Sequence, residues 1–123
     1  MMNNAYQTYK SQSVMTMTQG QMLIMVYDEL IKQLNMSLVA FDRKDIPEIN
    51  RSLQKSQHVL NELKGTLNFD YSISENLNDI YNFFIRAIIE ANVKKDSSGL
   101  GDILEMVTEL RNVFLEADKL SRK

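Results

Sequence analysis

One proline and four glycines in 123 residues leave this chain almost no punctuation. A β protein of this length needs a turn every ten residues or so, with the Gly, Pro, Asn and Asp to build them. Between the few breaks, apolar residues recur in steps of three and four, the period of a helix with one buried face. The first such segment covers about 18–41, with the stripe Leu23, Tyr27, Leu30, Leu34, Leu38 and Phe41. The second starts at Asp45, where Asp45 and Glu48 read as a capping box and Pro47 suits a first turn. Its stripe is Ile49, Leu53, Ser56, Leu60, Leu63 and Leu67, and Gly65 either relaxes or ends the helix. After a connector over 68–72, Ser72 and Glu75 read as another capping box for a third helix reaching about Lys95. Leu77, Tyr81 or Ile80, Phe84, Ile88 and Ala91 form its stripe. The run DSSGLG is a turn, and a fourth helix follows over about 102–119, with Ile103, Met106 or Val107, Leu110, Phe114 and Ala117. Four amphipathic helices with short connections predict an all-α fold, an antiparallel up-down four-helix bundle over 18–120 with a tail at 121–123.

Residues 1–17 differ in kind. They are rich in Asn, Gln, Ser and Thr, and Lys10 is the only charged side chain before Asp28. Yet they carry Tyr6 and Tyr9, which one helical turn would place on a single face. Two readings stand: a frayed terminus, or a mobile arm or short capping helix that can lift off the bundle.

Composition narrows the function. No cysteine means no disulfide and no thiolate metal site. A single histidine, His58, excludes most zinc and di-iron designs. A net charge of −2 provides no global field for nucleic acid. No apolar run is long enough to span a membrane, and the N-terminus lacks the basic and apolar regions of a signal peptide, so the expected address is the cytoplasm. His58 falls on the polar face of its helix, the place of a solvated residue rather than an oriented base. There is no phosphate-cradling loop and no nucleophile elbow. The expectation is a protein without catalysis and without a cofactor.

What remains is apolar surface in excess of four stripes. Met25, Met36, Val39, Phe83, Ile89 and Val93 all lie off the core faces. They either fill bundle corners or form a groove for an amphipathic partner, a surface to which unbranched methionine is suited.

The chain also resembles the flagellin-specific export chaperones, the FliS family. Met22 to Leu30, MLIMVYDEL, is similar to the family's first-helix motif of apolar residues followed by Leu-Tyr-Asp-Gly. Ala5, Tyr6 and Tyr9 match an N-terminal Ala-Tyr-x-x-Tyr. Lys55, Gln57 and Glu62-Leu63 follow in the second helix, then the connector from Leu67 to Asp70. Asn76-Leu77, Ile80-Tyr81 and Ala91-Asn92 match in the third helix, and Glu109-Leu110-Arg111 with an aromatic at Phe114 in the fourth. Glu29 stands where glycine is frequent, Gln21 where proline is, and Phe114 where tryptophan is.

The resemblance implies a cytoplasmic chaperone that binds the disordered C-terminal segment of flagellin, one to one. It would prevent premature polymerisation and assist delivery to the flagellar type III export gate. The client would wrap the bundle, and the N-terminal segment would cover part of the same groove. The implied protein is a monomer or weak homodimer that contacts neither nucleic acid nor membrane. Expected partner-binding residues are Tyr6 and Tyr9 on the arm, then Met25, Met36 and Val39 on helix one. Tyr27 and Asp28 match the motif, but Tyr27 and Tyr81 also lie on core stripes. The rival reading is a helical regulatory adaptor that sequesters another folded protein.

Overall fold

The computed structural model describes residues 17–121. Among them are four helices and no strand: α1 (Gln19–Asp42), α2 (Ile46–Gly65), α3 (Ile73–Lys94) and α4 (Leu100–Ser121). Each packs on its chain neighbour, and α4 returns against α1, which closes a four-helix bundle. The pair α1 and α2 is packed most closely, and α3 and α4 least.

Helix ends follow local chemistry. The Thr18 hydroxyl accepts from Gln21 N at 3.0 Å while Gln21 Oε1 accepts from Thr18 N at 3.0 Å, a complete capping box that starts α1. Asp45 caps α2 by accepting from Glu48 N at 3.2 Å. Glu48 does not return the bond; its carboxylate is held by Arg51 instead. The box expected at Ser72 and Glu75 does not form, because Ser72 is already helical in backbone and its side chain caps nothing. Asn68 organises that connector: its side chain accepts from Asp70 N at 3.0 Å, and its carbonyl accepts from the Ser74 hydroxyl at 2.6 Å.

No described glycine takes a positive φ; Lys44 and Lys95 do, at 55° and 51°. Both end a helix by the same device. Asp45 N donates to Ala40 O and Asp96 N to Ala91 O, the long-range bond of a Schellman motif. Lysine thus occupies a position that favours glycine. At Lys95 the ammonium compensates by donating to Asn50 Oδ1, Asn92 Oδ1 and Asn92 O, all within 2.7 Å.

The core follows the predicted stripes of α2 and α3 closely, with Ile49, Leu53, Ser56, Leu60 and Leu63 facing Leu77, Tyr81, Phe84, Ile88 and Ala91 into the bundle. In the second half of α1 the stripe is rotated. Leu38 and Phe41 are only partly buried, whereas Gln33, Ser37 and Ala40 are buried. Small side chains there allow the α1 and α2 backbones to approach, and the link of three residues between them requires it. The buried serines cost little, since each hydroxyl bonds a carbonyl of its own helix: Ser37 to Leu34, Ser52 to Glu48 and Ser56 to Ser52, at 2.6–2.9 Å. Helix α4 starts two residues before the predicted 102, because Leu100 is drawn into the core. Near the other end of α4, Asp118 Oδ1 accepts from the Thr18 hydroxyl at 3.3 Å. Gly20 lets this approach happen: a Cβ there would lie 2.2 Å from the same carboxylate oxygen.

Candidate functional site

The outer side of the α1/α2 pair carries three depressions in line. The first, about 460 Å³, lies between Met22, Leu23, Val26 and Thr66. The second, about 250 Å³, is bounded by Met25, Val26 and Val59, with Glu29, Lys55 and Glu62 around them. The third, about 440 Å³, lies between Met36, Val39, Ala40 and the start of α2 at Asp45 and Glu48. They follow one another along α1: no charged side chain lines the first, whereas Glu29, Lys55 and Glu62 border the second and Arg43, Asp45 and Glu48 the third.

Met25 and Val39 are exposed at 38% and 49%, and Met36 is half-buried. Arg51 lies over Met36, its Nη2 3.7 Å from the sulfur, and is fixed there by Glu48, with Nε to Oε2 at 2.9 Å. That contact holds the Glu48 carboxyl below its usual pKa and raises the guanidinium above its own. His58 is exposed and reaches Glu62 at 3.0 Å along its own helix, the solvated place expected of it.

The predicted partner residues do not form one site. Tyr6 and Tyr9 lie outside the described residues. Met25, Met36 and Val39 line the α1/α2 groove. Tyr27 and Tyr81 are interior, at 0% and 1% exposure, with their hydroxyls 2.5 Å apart. Tyr27 also stacks on Phe114, with centroids 5.6 Å apart. Burial pushes both phenols above their ordinary pKa; the neighbouring Tyr81 adds to this at Tyr27, while the shared hydrogen bond opposes it at Tyr81. They are a neutral, mutually satisfied pair that links α1 to α3 through the core. Asp28 is exposed on the α4 side of α1, where Arg111 Nε donates to it at 2.8 Å. Of the motif pair, Tyr27 therefore packs the bundle and Asp28 ties α1 to α4.

A second groove escaped the sequence reading. It lies between α3 and α4, about 250 Å³, lined by Ile80, Phe84, Met106, Glu109, Leu110 and Val113. The signal was a second apolar row on α4, Met106, Leu110, Val113, Ala117 and Leu120, which shares Met106, Leu110 and Ala117 with the predicted core stripe.

The model of the family described as "Flagellar protein FliS" matches residues 2–121. This chain belongs to the FliS family. It is 30% identical over 120 residues to the flagellar secretion chaperone FliS of Bacillus subtilis strain 168, covering 98% of this chain and 90% of that one. It is 25% identical over 119 residues to the flagellar secretion chaperone FliS of Vibrio cholerae serotype O1, covering 92% and 88%. The FliS family is one of secretion chaperones, not a class of enzymes, and a flagellar protein is the partner such a chaperone implies. Among the described residues no helix is long and apolar enough to cross a membrane.

Proposed function

We propose that this FliS-family protein is a cytosolic export chaperone that binds the C-terminal segment of flagellin before assembly. The observation that supports this is the line of three depressions along α1 and α2, with Met25, Met36 and Val39 beside Glu29, Arg51 and Lys55. From Met22 to Val39 the three depressions span about 25 Å of α1, the reach of roughly eight residues of extended chain. A flagellin terminus exposes apolar positions that would otherwise pair with another flagellin. Covering them stabilises the complex by about 25 cal/mol per Å² of apolar surface, less the cost of ordering the client. That ordering cost keeps the complex releasable at the export gate, so no nucleotide and no cofactor is required. Binding is one to one. Tyr6 and Tyr9, outside the described residues, are further proposed client contacts.

Calorimetry with a flagellin C-terminal peptide of about 40 residues tests this reading. Tight one-to-one binding with a large negative heat-capacity change is expected, weakened by Met36→Asp at unchanged helicity. No binding at high micromolar peptide would return the function to an adaptor of another folded protein.

A further inference from the structure

The outward row of α4 is unlike the α1/α2 groove. Met106, Leu110, Val113, Ala117 and Leu120 recur in steps of four and three, the seam spacing of a coiled coil. Leu110 leans on the core, but Val113 and Leu120 are 63% and 66% exposed, so the outer part of the seam lies open among the described residues. The loose packing of α3 against α4 opens a trough beside it, with Ile80 and Phe84 as the far wall. Asp102, Glu105, Glu109 and Glu116 follow the solvent edge of the same row at helical spacing. Lys119 approaches only Glu116, at 3.7 Å; Asp102, Glu105 and Glu109 enter none of the ion pairs among the described residues.

We propose that the α3/α4 trough docks one amphipathic helix of a partner protein, apolar on its inner face and lysine- or arginine-rich along the flank that meets Glu105 and Glu109. From Met106 to Leu120 the seam is about 21 Å long, which accommodates roughly four helical turns. Charge decides the occupant. A second copy docked through the same surface would place one acidic row against its equal. Residues 1–16 of this chain carry a single charged side chain, Lys10, and so present no basic flank. A basic helix satisfies both features at once: its apolar face fills the trough, and its flank offsets the acidic edge. This proposal is independent of the flagellin reading, which rests on the other side of the bundle.

The test uses the full chain and a fluorescent synthetic helix of about four turns, leucine at seam positions and lysine on the flanks. Two controls accompany it: the same helix with glutamate flanks, and a scrambled peptide of identical composition. Fluorescence anisotropy is expected to show saturable one-to-one binding of the lysine-flanked helix alone. Val113→Asp should weaken it at least about tenfold at unchanged helicity, whereas Met36→Asp on the other groove leaves it unchanged. Glu105→Lys with Glu109→Lys should reverse the preference towards the glutamate-flanked helix. Equal binding of the ordered and scrambled peptides, indifference to Val113→Asp, or no binding at all would overturn the proposal. So would concentration-dependent dimerisation abolished by Val113→Asp, which would make a second copy the occupant.

Discussion

The two grooves lie on opposite sides of one bundle and are built differently. Between α1 and α2, small buried residues such as Ser37, Ala40, Ser52 and Ser56 bring the helices together, and the surface above is methionine interleaved with Glu29, Arg51, Lys55 and Glu62. Between α3 and α4 the helices stand apart, and Phe84, Met106 and Val113 leave an apolar trough with charge only at its edge. A tight pair of helices offers a shallow surface that an extended chain can follow. A loose pair offers a slot that a helix can enter. The difference arises from the size of the side chains between the axes, not from the hydrophobicity of either helix.

Overpacking is the strongest way to break this comparison. Ala40→Leu inserts a large side chain into the close α1/α2 contact and should cost about 2–3 kcal/mol in urea unfolding. Val113→Leu at the open trough should change stability by less than about 0.5 kcal/mol. Equal costs would show that the two pairs are packed alike. The tyrosine pair is the next largest effect, because it joins the helices that carry the two grooves. Tyr27→Phe leaves the buried Tyr81 hydroxyl without its partner and should cost about 1–3 kcal/mol, while adding Tyr81→Phe should recover part of the loss in a double-mutant cycle. Additive losses would mean that the hydroxyls do not act as a pair.

Smaller changes sharpen the picture at the α1/α2 link. Lys44 closes that link in a left-handed conformation, so Lys44→Gly should raise stability by about 1 kcal/mol in thermal unfolding. A loss would show that the lysine side chain contributes more than its backbone strain removes. The smallest effect concerns pH. Glu48 has a folded pKa lowered by its hydrogen bond to Arg51, so the pair stabilises above the unfolded carboxyl value and its contribution is lost as pH falls through the folded one. Glu48→Gln should therefore be mildly destabilised at pH 7, and the difference from the parent should vanish in acid, once the folded carboxyl is protonated. A difference that persists there would assign the effect to packing rather than charge.

Much of the bundle was legible. The stripes of α2 and α3 reappear as buried residues because those helices meet the core along one face with large aliphatic side chains. The later part of α1 was misread, since Ser37 and Ala40 carry no hydrophobic signal and are buried by the approach of α2. The Ser72 box failed because a sequence cannot show that Asn68 has already organised the turn. Met25, Met36 and Val39 were correctly placed off the core, but Tyr27 and Tyr81 matched a family motif and a core stripe at once, and only their burial shows which role the geometry serves. The α3/α4 trough was missed because Met106 and Leu110 suited the core as well as the surface.

By itself the sequence determined that this protein is helical, where each helix lies, and that four of them share a core. Those properties follow from backbone sterics and a repeat of 3.6 residues, which are local. Tertiary structure alone decided which helices stand close and which apart, and therefore which surplus apolar residues form grooves. The spacing of two axes depends on side chains from both helices at once, and no single stripe contains it.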